Sequence, residues 1–288
     1  MTVERNMSTK VAVVTGGNKG IGFAIVKLLC HKFDGHVYLT ARNKDRGKAA
    51  LEQLKKLGLN PRFHELDIDD VVSISRLHDF LKDTYGGLDV LVNNAALGYH
   101  KDDSGFLYHQ QVEQIVRTNY FSVVNVCNHL FPILRPHARI VNVSSSAGML
   151  KRIPGEEIQS KFIAADTVEK LSELMKAYVA DVKAGSHMQN GWGDQPYIVS
   201  KVGLTALTSI QQRAFSEDVT RPDIVVNAVH PGRVQTDMSN HKGNMTTDEG
   251  AEAPVFLALL PMNSESPKGH FVWSDKKIVP WDGPRPDS

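Results

Sequence analysis

The fold of this chain is decided by one stretch near its beginning, which reads Val11-Ala-Val-Val14, then Thr15-Gly-Gly-Asn-Lys-Gly-Ile-Gly22, then residues 23–30. A β-prone run leads into a glycine-rich turn and then into a segment with the apolar spacing of a helix. Gly16 is expected to form the tight turn, Gly20 to let the backbone approach a pyrophosphate, and Gly22 to let the helix pack close to the strand. The phosphates would face free N–H groups at the positive helix end. This context predicts a dinucleotide site and argues against a flexible surface loop.

Further along the chain, β-prone runs alternate with segments of helical periodicity. The predicted strands span residues 36–40, 62–66, 88–93, 139–144 and 224–230, and the predicted helices residues 44–57, 71–85 and 111–131. Such alternation predicts an α/β fold, a doubly wound parallel sheet of the Rossmann type with helices on both faces. Ligands of these sheets bind at the carboxyl ends of the strands. With no linker visible, we expect one domain over residues 1–288.

Composition narrows the class of protein. The 288 residues are 41% hydrophobic and 23% charged, enough for one substantial core. Lys and Arg number 33 against 32 Asp and Glu, so a nucleic-acid partner is not expected. No apolar run approaches the roughly 20 residues that span a bilayer, and the first seven residues lack a secretory pattern. The 12 histidines show no metal spacing, and we predict no metal. Cys30 and Cys127 are expected to be buried free thiols of a cytoplasmic protein.

The run Tyr197-Ile-Val-Ser-Lys201 places a phenol and an ammonium one helical turn apart. The ammonium is expected to lower the pKa of the phenol from its usual value of about 10. A Tyr of this kind exchanges a proton near neutral pH, as carbonyl reduction or alcohol oxidation requires. The alternative is a solvated lysine beside a half-buried ring. The glycine turn favours the catalytic interpretation.

The choice of cofactor depends on the end of the second predicted strand. NAD-selective sites usually carry an acidic residue about 20 residues past the glycines, for the ribose 2′-hydroxyl. Thr40-Ala-Arg42 contains none. Arg42 offers a planar guanidinium suited to a phosphate, and Lys19 adds a second cation. Each could instead be a solvated surface cation, but together they predict NADP(H).

Five motifs stand in the order seen in the short-chain dehydrogenases/reductases: Thr15-Gly-x-x-x-Gly-x-Gly22, Asn93-Asn-Ala95, Asn142-Val-Ser-Ser145, Tyr197-x-x-x-Lys201 and Pro231-Gly232. Longer stretches, such as Phe63-His-Glu-Leu-Asp-Ile-Asp-Asp70 and Glu249-Gly-Ala-Glu-Ala-Pro254, resemble the cytosolic monomeric NADPH-dependent carbonyl reductases. The resemblance implies reduction of ketones, aldehydes or quinones. A steroid or prostaglandin dehydrogenase on the same scaffold, or a non-catalytic NADP(H)-binding sensor, are the alternative hypotheses.

The resemblance also implies a role for each site residue. Ser145 would bind the substrate oxygen, Tyr197 would donate the proton, and Lys201 would lower the pKa of Tyr197 and hold the nicotinamide ribose. Asn119 would anchor a water that links Lys201 to solvent, unless it merely faces water from a helix. Thr236 would hold the carboxamide. The full set of expected cofactor-binding residues is Gly16, Asn18, Lys19, Gly20, Ile21, Gly22, Arg42, Asp67, Ile68, Asn94, Tyr197, Lys201, Pro231, Gly232, Val234 and Thr236.

Two of these assignments stay open at the level of sequence. Ser144, Ser145 and Ser146 are consecutive, so only the motif selects Ser145. Asp67 either binds adenine or caps the helix that begins near Val71.

Two motifs depart from the expected pattern, and an insertion separates the chain from the wider family. Ala96 replaces the glycine of Asn-Asn-Ala-Gly, and Val229-His-Pro-Gly-Arg233 stands where the mammalian reductases read Cys-Cys-Pro-Gly-Trp. Between Ser145 and Tyr197 lie 51 residues (197 − 145 − 1), with an insertion at about residues 149–190. Asp166-Thr-Val-Glu169 resembles a capping box that opens an amphipathic helix with an apolar stripe from Val168 to Val182. The stripe could bind a partner, but packing on its own domain is expected. The resemblance to the carbonyl reductases, in which such an insertion covers the surface used for oligomerisation, implies a monomer.

Overall fold

The computed structural model describes residues 9–98, 107–284 and 286, so the first seven residues, with their expected lack of a secretory signal, lie outside the described range. Within that range, eight strands form one sheet in the order β3-β2-β1-β4-β5-β6-β7-β8. The strands are β1 (Val11–Val14), β2 (His36–Ala41), β3 (Arg62–Glu65), β4 (Leu88–Asn93), β5 (Leu134–Val143), β6 (Val225–Val229), β7 (Phe271–Val272) and β8 (Ile278–Val279).

Every pairing in the sheet is parallel except that of β7 with β8. The strand order reverses between β1 and β4, which creates a crevice at their carboxyl ends. The doubly wound α/β fold predicted from the sequence is confirmed. The short strands β7 and β8 were not predicted.

Helices cover both faces of this sheet. They are α1 (Gly20–Lys32), α2 (Lys44–Lys56), α3 (Val71–Tyr85), α4 (Tyr108–Val116), α5 (Ser122–Leu130), α6 (Glu156–Ala164), α7 (Val168–Lys183), α8 (Pro196–Glu217) and α9 (Thr247–Ala258). The prediction of one continuous helix over residues 111–131 is wrong, although helical structure covers this range from Tyr108 onward. This helical structure is divided by a π-helical turn at Arg117–Phe121 and ends in a 3-10 turn at Phe131–Ile133.

The alternating side chains of β1 show why the sheet is buried on both sides. Ala12 and Val14 pack with α1, α2 and α9 on one face of the sheet. Val11 and Val13 pack with α3 on the opposite face. All four are completely buried. Since successive strand residues point to opposite faces, an unbroken apolar strand requires a helix layer on each side. None of the helices in the described ranges is long and apolar enough to cross a membrane.

The inserted segment forms α6 and α7, which pack on the rest of the domain. Leu171, Met175, Tyr178 and Val182 of α7 are buried in a core that also contains side chains of α4, α5 and α8. The predicted packing of the apolar stripe on its own domain is confirmed. The predicted cap is wrong: Thr167, not Asp166, caps α7 by accepting a hydrogen bond from the Lys170 N–H at 3.2 Å.

Candidate active site

The glycine turn lies at the carboxyl end of β1, in the crevice of the sheet. Gly16 has a φ of +64°, a left-handed conformation that favours glycine. A Cβ on Gly22 would lie 2.4 Å from the Gly16 carbonyl oxygen, so no side chain fits there. At Gly20 an added Cβ would meet no described atom closer than the Thr236 methyl at 3.5 Å, and the turn stays open. Because α1 begins at Gly20, three residues before the predicted start, the first N–H groups of the helix, which lack acceptors within it, belong to the glycine turn itself.

Asn94 and Thr15 fix the shape of the turn. The Asn94 side-chain amide donates to the carbonyl oxygens of Thr15 and Gly16, at 2.9 and 3.2 Å. The Thr15 hydroxyl accepts hydrogen bonds from the N–H groups of Asn94 and Ala95, at 2.9 and 3.0 Å. The side chains of Asn94 and Thr15 therefore join the carboxyl ends of β1 and β4 and hold the backbone of the turn in place.

Arg42 and Lys19, the two cations predicted to bind a phosphate, have different surroundings. Arg42 is exposed directly after β2. Lys19 is also exposed, but its ammonium lies 2.6 Å from the Asp237 carboxylate, which holds the pKa of that carboxyl below its usual range. A phosphate at Lys19 must compete with Asp237.

Asp67, just after β3, was expected either to bind adenine or to cap α3. The residue that caps α3 is Asp70, which accepts a hydrogen bond from the Val72 N–H at 2.9 Å. The Asp67 carboxylate instead accepts from the Asp69 N–H at 3.0 Å. The capping alternative for Asp67 is thus wrong, and its adenine-binding role stays a prediction. Ile68 beside it is buried.

The segment after β6 closes over the glycine turn. Pro231 is buried, and Gly232 has a φ of +97° with Met245 packed where a side chain would extend. Val234 is buried against Gly250, and Thr236 reaches toward Gly20. Of these positions, Thr236 lies beside the glycine turn, and the cofactor-binding roles of Pro231, Gly232 and Val234 stay predictions. Partly buried Asn18 and Ile21 lie within the turn and the first turn of α1.

Ser145, Tyr197 and Lys201 come together from β5 and α8. The Ser145 hydroxyl is hydrogen-bonded to the Tyr197 phenol. The Lys201 ammonium lies 5.7 Å from the centre of the Tyr197 ring and donates to the Val143 carbonyl oxygen at 2.8 Å. Tyr197 and Lys201 therefore share one face of α8, and Ser145 meets that face from the end of the central strand.

The neighbouring serine has a different environment. The Ser144 side chain is buried and shares a hydrogen bond with the Thr205 hydroxyl at 2.8 Å. This hydrogen bond joins the end of β5 to α8. Of these two serines, the one that contacts the Tyr197 phenol is Ser145, as the motif suggests.

Burial dominates the ionisation of the pair. It raises the pKa of Tyr197 to about 12, although the Ser145 hydrogen bond acts in the opposite direction. Burial also lowers the pKa of Lys201 to about 7. The prediction that Lys201 lowers the pKa of Tyr197 is wrong for this arrangement. Burial of the phenol is the largest cause of its raised pKa, and Lys201 is not among the groups that lower it.

Asn119 is completely buried in the π-helical turn. Its side-chain oxygen accepts from the Leu97 N–H at 2.7 Å, and its amide donates to the Leu97 carbonyl at 2.9 Å and to the Ser200 hydroxyl at 3.1 Å. The alternative in which it merely faces water is wrong. The turn brings Asn119 beside Ser200, the residue that precedes Lys201.

Comparisons with known proteins show the family of this chain. A family model described as short chain dehydrogenase matches residues 10–160. The chain belongs to the short-chain dehydrogenase family. It is 49% identical over 277 residues to carbonyl reductase (NADPH) 3 of Mus musculus, covering 95% of this chain and 99% of the relative. It is 48% identical to carbonyl reductase (NADPH) 1 of Homo sapiens, covering 94% and 98%.

A solved structure shares both the fold and a third of the sequence. Salutaridine reductase from Papaver somniferum superimposes with a TM-score of 0.81 at 34% identity, over 91% of this chain and 99% of that one. The family resemblance inferred from the motifs is confirmed. The narrower resemblance to the NADPH-dependent carbonyl reductases is confirmed as a similarity of sequence.

Sequence reasoning about this short-chain dehydrogenase missed some polar contacts of the site. The Asn93 amide donates to the Asn142 side-chain oxygen at 2.9 Å, and Asn142 donates to the Thr208 hydroxyl at 2.9 Å. These residues stood in the quoted motifs, but nothing in the spacing shows that they join β4, β5 and α8. Asp69, which contacts the π-helical turn, was also not singled out.

Neither a metal cluster nor a disulfide is found among the described residues. Among residues 9–98, 107–284 and 286, no group of three or more His, Cys, Asp or Glu side chains is arranged to hold a metal ion. Cys127 is buried as predicted, and burial raises the pKa of its thiol to about 12. Cys30 is only partly buried, and the pKa of its thiol is raised to about 11. Both are free thiols.

Proposed function

We propose that this chain is an NADPH-dependent carbonyl reductase that reduces ketones, aldehydes or quinones to alcohols. The observation that carries the proposal is the meeting of Ser145, Tyr197 and Lys201 beside an open glycine turn. The relatives named carbonyl reductase (NADPH), which match nearly the whole chain at 48–49% identity, support it.

The residues of the crevice fit a dinucleotide. The backbone of Gly20, Ile21 and Gly22 would hold the pyrophosphate at the start of α1. Arg42, with Lys19 after release from Asp237, would bind the 2′-phosphate, and Asp67 and Ile68 would border the adenine.

The nicotinamide end has its own set of residues. Asn94, Pro231, Gly232, Val234 and Thr236 would border the nicotinamide, and Lys201 would hold its ribose. When bound, NADPH supplies a hydride to the carbonyl carbon.

The protein supplies the proton and the orientation. Ser145 would donate a hydrogen bond to the carbonyl oxygen and hold it against the Tyr197 phenol. Because its pKa is raised to about 12, Tyr197 keeps its proton at neutral pH. An alkoxide is a stronger base than a phenolate, so the proton moves to the oxygen as negative charge develops there. Lys201, with a pKa lowered to about 7, would return a proton to Tyr197. It would itself regain a proton from solvent through a water that Asn119 is expected to anchor.

The cellular setting follows as part of the proposal. The packing of α7 on its own domain hides an apolar stripe, which supports a monomer of 31.9 kDa. A net charge of +1 supports small-molecule carbonyls rather than nucleic acid as partners, and the reduced thiols support the cytoplasm.

A screen of diverse carbonyls, read by loss of NADPH absorbance, tests the function. We expect turnover of ketones, aldehydes or quinones. Turnover confined to steroids or prostaglandins would favour a dehydrogenase of those substrates. NADPH binding without turnover of any carbonyl would favour a sensor and contradict the proposal.

A further inference from the structure

A partly buried carboxylate from the loop after β3 holds the π-helical turn that carries Asn119. Asp69 Oδ1 accepts a hydrogen bond from the Ser122 hydroxyl at 2.5 Å, and Oδ2 accepts one from the Thr118 hydroxyl at 2.8 Å. The Asp69 side chain is 14% exposed, and both hydroxyl residues are buried. Hydrogen bonds to an ionised acceptor are short and strong, so these contacts fix the turn from one side.

The loop that presents Asp69 is itself held in place. The Asp69 N–H donates to the Asp67 carboxylate at 3.0 Å, and the Asp67 N–H donates to the Ser73 hydroxyl at 3.0 Å. Asp70, the next residue, caps α3. The carboxylate of Asp69 is thus anchored to the start of a helix rather than to a free loop.

Along the chain, Asn119 lies between the two residues whose hydroxyls bind Asp69. Thr118 precedes it directly, and Ser122 follows the π-helical turn. The other side of the turn is held by the contacts of Asn119 with Leu97 and Ser200. A π-helical turn is rare, and here side-chain contacts hold it from both sides. Removing one set releases the side chain that the other set positions.

The ion pair with Arg117 does not account for these contacts. The Arg117 guanidinium lies 3.5 Å from Asp69 Oδ2 and is 61% exposed, and exposed pairs contribute little. The two hydroxyl donors are closer and buried. They are therefore the partners that decide where the Asp69 carboxylate lies.

We propose that Asp69 is a positioning residue, which fixes Asn119 for proton replacement in the reduction. The inference rests on the proposed function. It assigns Asp69 no contact with substrate or cofactor. Its effect on turnover must pass through Asn119.

The variant Asp69→Asn tests this, because it keeps the side-chain volume but cannot accept both hydroxyl hydrogen bonds as before. Asp70→Asn is the matched control: it makes the same charge change one residue later, and Asn caps helices as well as Asp does. We expect kcat to fall about 10- to 100-fold in Asp69→Asn, with the KM for NADPH within about twofold of wild type. Asp70→Asn should match the wild type in both.

Two further measurements separate positioning from general destabilisation. Amide exchange of the Leu97 N–H, which donates to Asn119, should be at least about 10-fold faster in Asp69→Asn and unchanged in Asp70→Asn. In an Asn119→Ala background, Asp69→Asn should cause no further loss of kcat, since residues that act through one another are not additive. If Asp69→Asn does not fold, Ser122→Ala, which removes a donor to the same carboxylate, takes its place.

Two results would overturn the proposal: a wild-type exchange rate at Leu97 in Asp69→Asn, or additive losses of kcat in the double variant. Absence of turnover in the wild type would instead overturn the proposed function. The exchange comparison needs no turnover, so the two failures are distinguishable.

Discussion

The Lys19 ammonium and the Asp237 carboxylate lie 2.6 Å apart across the opening of the glycine turn. Their contact joins residues 218 positions apart and draws the segment after β6 over the turn. It also engages a cation proposed to bind the 2′-phosphate. If Lys19 binds the 2′-phosphate as proposed, phosphate and carboxylate compete for it, and the affinity for NADPH depends on Asp237.

Asp237→Asn should relieve that competition. Because the pair is exposed and worth at most about 1 kcal/mol, we expect the KM for NADPH to fall by up to about fivefold, with little change for NADH. Asp248→Asn, which breaks the similar exposed pair with Lys27, is the control and should leave both values unchanged. Steady-state kinetics with the two cofactors decides. An unchanged or higher KM for NADPH would remove Lys19 from the phosphate site.

Arg42→Asp should move cofactor preference toward NADH. A carboxylate at the end of β2 would repel the 2′-phosphate and offer an acceptor to a ribose hydroxyl. The ratio of kcat/KM for NADPH to that for NADH should fall by at least about 10-fold. Lys44→Asp makes the same charge change two residues later and should have a much smaller effect. If the NADPH-to-NADH ratio of kcat/KM fell equally in both variants, the effect would come from net charge in general, and Arg42 would not be the phosphate-binding residue.

The buried ammonium of Lys201 predicts a pH-dependent stability. Its pKa is lowered to about 7 in the folded protein, against about 10.4 for an ordinary lysine, so the unfolded chain binds more protons between these values. The free-energy penalty is full below about pH 7 and disappears as the pH rises toward 10.4. Lys201→Met removes it.

Urea unfolding at several pH values measures this penalty. The free energy of unfolding should be larger for Lys201→Met than for the wild type. This difference should be greatest at or below about pH 7 and should decrease toward pH 10. A difference that is constant over this range would contradict the assigned burial.

The stripe of α7 predicts both stability and association state. Leu171 is completely buried and Leu174 partly so. Replacing both by Asp should lower the free energy of unfolding by more than the roughly 2–5 kcal/mol of a buried Leu→Ala change, and should promote association through the exposed core. Ala177→Asp, on the exposed side of α7, is the control.

Light scattering and urea unfolding check the two parts. The wild type should have the mass of a 31.9 kDa monomer. A concentration-independent dimer or tetramer would contradict the monomer, and a double variant as stable as Ala177→Asp would contradict the packing.

The sequence predicts well what depends on local pattern. β1, β4 and α3 begin and end at the predicted residues, because their apolar periods and flanking glycines are encoded in neighbouring positions. The same holds for the glycine turn, whose Gly16 adopts the required positive φ. The grouping of Ser145 with Tyr197 needed the family motif, since three consecutive serines are equivalent by spacing.

What the sequence does not predict depends on tertiary contacts. The π-helical turn around Asn119 is held by Asp69 and Leu97, which no local period reveals. The raised pKa of Tyr197 results from burial by distant segments. The strands β7 and β8 have two residues each, too few for a periodic signal.

In the proposed mechanism, Tyr197 donates a proton while hydride passes from NADPH to a carbonyl. NADPH carrying deuterium at both C4 positions, incubated with a carbonyl turned over by the wild type, should give an alcohol with one deuterium on the former carbonyl carbon. Tyr197→Phe should bind NADPH with nearly unchanged affinity but form this product at least about 100-fold more slowly. An alcohol without deuterium, or a Tyr197→Phe variant with normal kcat, would contradict the account.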